Sequence, residues 1–207
     1  MMLDNFVVFE GMDGSGTSTQ LQILRSRLAE HPALTPWFTW EPTDGPLGLL
    51  LRQALRGEIK LAPATLAHLF AADRNEHLEA ASGIRRHVEK GDLVICDRYV
   101  LSSLVYQGIE CGDELPTLLN ADFPRPALLF LFDLSPETAA ERYGGRESRD
   151  IYEHIGFQKL VRSRYRELAK RWCGSETRLV TIDAAKSINE VAEDIWREVS
   201  KLPILRG

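Results

Sequence analysis

The sequence predicts an α/β fold, a three-layer sandwich in which helices cover both faces of a five-stranded, mostly parallel sheet. Three observations predict it. Five short apolar runs, rich in β-branched and aromatic residues, read as buried strands at 5–10, 37–41, 93–97, 127–133 and 178–183. Between them, apolar residues recur at helical spacing. Strands that alternate with helices build parallel sheets buried on both sides. With 207 residues, the chain is expected to form one domain, 1–207, with a sizeable core.

Each element has its own justification. Leu21, Leu24 and Leu28 mark a helix after the first strand, and apolar residues repeat at three and four between 47 and 55. Pro63 opens a long helical stretch reaching Lys90, with a break near Gly83. Ser135 followed by Pro136 reads as an N-cap with proline at the first helical position. Phe157, Leu160, Val161, Leu168 and Trp172 trace another helix. Ser187 and Glu190 form a capping box ahead of Val191, Ile195 and Val199. The strands close on Glu10, Glu41, Asp97, Asp133 and Asp183, at the sheet edge where α/β folds bind ligands. Only some of these carboxylates need be functional.

The loop after the first strand is the strongest chemical signal. Gly11 to Ser18 fits G-x-x-x-x-G-K-[ST] at every fixed position but one: Thr17 stands where the lysine belongs. No shift of register recovers it, because the first lysine is Lys60. Strand, loop and helix are otherwise in the right order. Gly11, Gly14 and Gly16 let the backbone approach an anion, and the helix start offers free N–H groups and a positive dipole end. Gly11, Met12, Asp13, Gly14, Ser15, Gly16, Thr17, Ser18 and Thr19 are therefore expected to bind nucleotide phosphates. Ser18 is placed to give a hydroxyl to Mg²⁺, and Thr19 one to a phosphate oxygen.

Composition excludes several classes. A net charge of −5 argues against broad binding to nucleic acid or an anionic membrane. No run of 18 apolar residues exists, so no membrane span is expected, and the N-terminus enters a strand without a signal-peptide pattern. Cys96, Cys111 and Cys173 are odd in number and widely spaced, which suits reduced thiols in a cytoplasmic protein rather than a zinc site.

Four further clusters carry chemistry. Asp97 can hold Mg²⁺ directly or through water, and Arg98 can clamp a phosphate; the alternative is a structural Asp–Arg pair. Ser103 and Gln107 share a helix face near Tyr106, suited to a base and sugar, or else form a solvated face beside a core tyrosine. Phe70 and Arg74 also stand at i and i+4, so that a base could stack on one and bond to the other. The alternative is a core phenylalanine and a surface charge. Arg142, Arg146 and Arg149 flank paired glycines, as in a lid over phosphates at about 142–153, or in a solvated loop.

Together these pieces resemble the thymidylate kinase family. The matches are Phe9-Glu-Gly-x-Asp-Gly-x-Gly, Glu41-Pro42, Leu69-Phe-Ala-Ala-Asp-Arg74, Asp97-Arg-Tyr-x-x-Ser-Ser-x-x-Tyr106-Gln-Gly108, the arginine lid and Ile182-Asp-Ala184. They occur in family order across nearly the whole chain. The resemblance implies a P-loop NTPase-like fold and Mg²⁺-dependent transfer of a phosphoryl group from ATP to dTMP, giving dTDP for dTTP synthesis. It further implies that Asp13 meets the 3′-hydroxyl of dTMP and helps orient Arg98, which holds the dTMP phosphate. Phe70 would stack on thymine and Arg74 bond its O4. Ser103 and Gln107 would line the polar edge of the base, and Tyr106 would crowd C2′. Glu41 and Asp97 would sit near the Mg²⁺ shell. The stretch after Asp183 would border the adenine. The lid arginines Arg142, Arg146 and Arg149 would cover the ATP phosphates, as in the bacterial arrangement. A homodimer is also implied.

Two departures stand out. Thr43-Asp44-Gly45 replaces the family's usual Gly-Gly-Thr after Glu-Pro, and Thr17 replaces the loop lysine. A unit charge about 4 Å from a phosphate is worth roughly 4 kcal/mol at an effective dielectric near 20. Left uncompensated, that is about a thousandfold in rate. The lid arginines are the expected compensation, whereas Arg25, two turns along the helix, is expected to point elsewhere. Besides an active kinase, the sequence leaves open a non-catalytic nucleotide-binding homologue and a deoxynucleoside kinase acting on a hydroxyl.

Overall fold

A computed structural model describes residues 1–31, 34–143 and 155–206. Its sheet contains β1 (Met2–Gly11), β2 (Pro36–Trp40), β3 (Leu93–Asp97), β4 (Arg125–Asp133) and β5 (Arg178–Asp183), ordered β2-β3-β1-β4-β5. Every pairing is parallel, a stricter arrangement than the mostly parallel sheet expected. Successive residues of a strand face opposite sides of the sheet. Phe6 to Gly11 are buried one after another, as are Leu128 to Phe132, so both faces of the sheet centre are covered.

The helices follow the sequence expectations closely. They are α1 (Thr17–Leu28), α2 (Pro46–Leu55), α3 (Pro63–Glu79), α4 (Ile84–Glu89), α5 (Val100–Cys111), α6 (Glu114–Leu119), α7 (Pro136–Tyr143), α8 (Ile155–Cys173) and α9 (Ile188–Val199). The long stretch from Pro63 breaks at Gly83, where a Cβ would lie 2.7 Å from the carbonyl oxygens of His77 and Leu78. Ser135 Oγ accepts the Thr138 N–H at 3.1 Å, and Ser187 and Glu190 complete the capping box on α9. The short α6 and a final 3₁₀ turn, Pro203–Leu205, were not among the expected elements.

Packing places the chemistry at one end. Register aligns Phe9 with Asp97 on one side and Gly11 with Phe132 on the other, so the loop after β1 emerges between the ends of β3 and β4. α1 packs on α9, while α5 packs on both α3 and α8. Aromatic contacts fix the centre: Phe9 lies 5.0 Å from Phe130 and Phe6 meets Tyr99 edge-on at 5.1 Å. Cys96 and Cys173 are buried free thiols, and Cys111 is half-buried and free. No helix among the described residues is long and apolar enough to cross a membrane.

Candidate active site

The loop from Gly11 to Ser18 turns tightly and then opens α1. Ser15 N–H bonds Met12 O at 3.2 Å, and the first helical bond runs from Gln20 N–H to Gly16 O at 3.2 Å. Gly14 and Gly16 take φ of 76° and 92°, which a side chain would resist. Gly16 is the N-cap, no side chain caps the helix, and no acidic residue lies in its first turn. The early N–H groups are therefore left for an anion. Ser18 and Thr19 are exposed there, while Met12 sends its side chain into the core and offers only backbone. Ser15 Oγ is buried and has no hydrogen-bond partner among the described residues.

Thr17 does not stand idle. Its hydroxyl lies close enough to the Asp97 carboxylate to favour the charged form, although burial raises the Asp97 pKa overall. Arg25 does point elsewhere: its guanidinium lies 4.4 Å over the Phe38 ring. Arg146, Arg149 and the side chain of Arg142 lie outside the described residues.

Beyond the loop lies a cleft of about 340 Å³. All eight residues expected to hold an acceptor line it: Asp13, Glu41, Phe70, Arg74, Arg98, Ser103, Tyr106 and Gln107. They come from the loop, the end of β2, α3, the β3–α5 connection and α5. Arg98 sits at φ 66° and its N–H bonds Phe9 O at 2.8 Å. Its guanidinium pairs with Asp13 and lies 5.6 Å from the Tyr106 ring centre.

Arg74 is not a surface charge but 1 % exposed. Its Nε donates to Glu41 Oε2 at 2.9 Å, Nη1 to Asn120 Oδ1, and Nη2 to Tyr99 O at 3.1 Å and Ser103 Oγ at 3.0 Å. Four of its five N–H groups are thereby engaged, leaving one on Nη1. Glu41 has its other oxygen 3.1 Å from His77 Nδ1, and His77 Nε2 lies 2.6 Å from Thr39 Oγ1. Both Glu41 oxygens are thus occupied. Glu41 orients Arg74 through one oxygen and faces His77 with the other. Gln107 is 2 % exposed, and its Oε1 has no partner among the described residues.

Sequence reasoning missed part of the wall. Arg52 and Leu55 of α2, with Arg56 just after its end, line the same cleft. Arg52 donates to Thr43 O at 2.5 Å and Pro42 O at 2.6 Å, and pairs with Asp44 at 3.1 Å. Thr43 in turn bonds Asp73 through its N–H at 2.8 Å and its hydroxyl at 2.6 Å. The unusual Thr43-Asp44-Gly45 stretch is therefore firmly held, after a cis Glu41–Pro42 peptide. α2 approaches so closely that a Cβ on Gly48 would lie 1.9 Å from Thr43 O. The one sequence signal for this wall was arginine at 52 and 56, one turn apart.

The remaining strand-end carboxylates divide. Asp133 takes Arg162 bidentately, at 2.7 and 2.9 Å, and that hydrogen bonding lowers its pKa. Asp183 accepts the Ala185 N–H at 3.1 Å in a turn. That turn borders a second cleft of about 420 Å³, shared by Ser15, Gly16, Thr19 and Gln20 with Lys186, Ser187 and Ile188. It lies where the stretch after Asp183 was expected to border a base. No group of three or more His, Cys, Asp or Glu able to hold a metal occurs among the described residues.

Comparison with known proteins agrees with this geometry. The family model described as thymidylate kinase matches residues 9–195. The chain is 41% identical to the "Putative thymidylate kinase" of Treponema pallidum, over 94% of each chain. It is 36% identical to the "Probable thymidylate kinase" of Methanocaldococcus jannaschii, over 98% of this chain and 100% of that one. To the "Thymidylate kinase" of Symbiobacterium thermophilum it is 38% identical, over 95% and 93%. The family model and the near-full-length similarity settle the family: the chain belongs to the thymidylate kinase family.

Proposed function

We propose that this protein is an active thymidylate kinase, a phosphotransferase that converts ATP and dTMP into ADP and dTDP. The observation that carries the reading is the single cleft onto which all eight expected acceptor residues converge, with Arg98 and Asp13 at its loop end. The aromatic face of Phe70 stacks on thymine. The spare Nη1–H of Arg74 bonds the O4 carbonyl, and the unpartnered Gln107 Oε1 accepts the ring N–H. Ser103 lies beside them, and Tyr106 crowds C2′. Arg98 holds the acceptor phosphate and Asp13 steadies Arg98.

In-line transfer asks little covalent chemistry of the protein, so positioning and charge dominate. The uncapped start of α1 receives the ATP phosphates through Gly11 to Thr19. The Ser18 hydroxyl and the Asp97 carboxylate are hard oxygen donors that suit Mg²⁺, which would neutralise charge on the transferring group. Arg142, Arg146 and Arg149, whose side chains lie outside the described residues, are the groups that would cover the phosphates. The stretch after Asp183 borders the adenine. The whole chain, 1–207, works as one nucleoside monophosphate kinase domain, as a homodimer in the cytoplasm. Its free cysteines and the family likeness support that setting.

Thr17 favours a second reading, a nucleotide-binding homologue with impaired catalysis. Steady-state assays of ADP formation with dTMP, dUMP and thymidine, on this protein and on Thr17→Lys, separate the two. Efficient dTMP turnover that Thr17→Lys raises less than tenfold supports an active enzyme with compensated charge. A gain approaching the roughly thousandfold value of an unscreened lysine supports impairment. Turnover of thymidine in preference to dTMP would sink the monophosphate assignment.

A further inference from the structure

Glu10 has no part in the chemistry above, yet its carboxyl is fully buried at the end of β1, one residue before the phosphate loop. Its Oε1 accepts the backbone N–H groups of Tyr99 at 2.9 Å and Ser102 at 3.1 Å, the N-cap and the third residue of α5. A side chain from β1 thus caps the helix that carries Ser103, Tyr106 and Gln107. Its Oε2 faces two hydroxyls, Ser102 Oγ at 2.6 Å and Tyr165 Oη at 3.3 Å. Those hydroxyls lie 2.9 Å apart, and Arg98 Nη1 reaches each of them at 3.4 Å. Glu10, α5, α8 and Arg98 therefore share one buried cluster.

This arrangement accommodates either protonation state. As a carboxylate, Oε2 accepts from the hydroxyls. As an acid, Oε2–H donates to Ser102 Oγ, whose own hydrogen then turns to Tyr165 Oη, and Oε1 keeps both N–H groups. No buried polar atom loses its partner. The titratable groups facing Glu10 are Arg98 from the β3–α5 connection, Tyr106 from α5, Tyr165 and Cys173 from α8, and Cys96 from β3. Only Arg98 among them opposes its charge, and Arg98 already serves Asp13. Burial pushes Glu10 up to about 7, and it raises both tyrosines and both thiols further from neutrality, Cys173 to about 12. Of these groups, the Glu10 carboxyl is the one poised to change charge near neutral pH.

We propose that Glu10 is a proton-linked positioning residue: it anchors the first turn of α5 and the seat of Arg98, and it takes up a proton from solvent when a phosphate dianion enters the cleft. A dianion beside Arg98 adds negative charge to a buried site that already holds Asp13 and Glu10. Like charges that close are relieved by neutralising the most weakly supported one. The full guanidinium charge of Arg98 then serves the ligand. The inference rests on the reading that the cleft takes a monophosphate.

The test is titration calorimetry with dTMP in buffers of different ionisation enthalpy. The pH is set at least one unit above the phosphate's own second pKa of about 6. This protein takes up a measurable fraction of a proton per dTMP bound, Glu10→Gln takes up none, and thymidine elicits none in either. Equal proton uptake in the two proteins, equal uptake with thymidine, or none in the parent overturns the proposal. Should Glu10→Gln fail to fold, infrared difference spectra of the parent with isotope-labelled glutamate decide. A protonated-carboxyl band on adding dTMP supports the proposal, and its absence overturns it. Binding and turnover of dTMP without proton uptake defeats this inference alone, whereas failure to bind dTMP defeats the acceptor reading as well.

Discussion

In the cleft lined by Asp13, Arg74 and Arg98, the protein has matched its charges with one another. Arg74 is spread across Glu41, Asn120, Tyr99 and Ser103, and Arg98 is held by Asp13. At the phosphate loop the opposite holds: α1 starts without a side-chain cap or an acid in its first turn, and its lysine position carries an uncharged hydroxyl near Asp97. On the proposed function, the first side would recognise a base by a rigid, pre-set pattern of donors and acceptors. The other offers a generic positive end and leaves charge matching to what binds there. Preorganised groups lose less freedom when a ligand binds, so discrimination belongs on the first side.

Arg74→Ala should break the preset side hardest. It strands the Glu41 carboxylate in the interior, and removing one partner of a buried pair costs about 3–5 kcal/mol. Urea unfolding followed by tryptophan fluorescence measures it. A loss of only about 1 kcal/mol, as for an exposed pair, would mean that water already reaches this network.

Next is the pH dependence set by Glu10. Its folded pKa, about 7, lies above the ordinary 4.5, so its contribution to stability is full below pH 4.5 and lost as pH rises through 7. Two and a half units correspond to about 3 kcal/mol. The stability of Glu10→Gln relative to the parent should therefore improve by about that amount across this window. Parallel curves for the two proteins would remove Glu10 as the cause.

Gly48→Ala tests whether the two sides are separable. The new methyl would collide with Thr43 backbone atoms at 1.9 to 2.6 Å, and overpacking costs roughly 1–3 kcal/mol. Displacement of the 41–45 loop should raise KM for dTMP and leave the Kd for ATP unchanged. An equal change in both would show that the cleft and loop move together. The smallest effect is expected from Ser187→Ala, which removes the α9 cap beside the second cleft for about 1 kcal/mol and leaves KM for dTMP untouched.

The strands were legible because parallel, doubly covered strands are continuous apolar runs, and β3 and β5 begin and end where those runs do. Caps and prolines marked α3, α7 and α9. α6 escaped notice because six residues with a proline among them show no periodicity. In the site, Phe70 with Arg74 and Ser103 with Gln107 were readable from i, i+4 spacing. Asn120 and His77 were not, since each acts across the fold on a residue far away in sequence, and Arg52 was not, since its partners are backbone carbonyls of the preceding loop. Glu10 read as one more strand-end carboxylate. What distinguishes it is the helix that folds back onto it, and no local pattern records that.

Arg98 occupies a backbone conformation, φ 66°, that a side chain adopts only under strain of order 1–2 kcal/mol. Glycine would relieve that strain and would also delete the guanidinium. Selection for stability and selection for activity thus pull in opposite directions at this one position. A library screened only for thermal tolerance should drift toward glycine or asparagine at 98 and lose turnover as it does so.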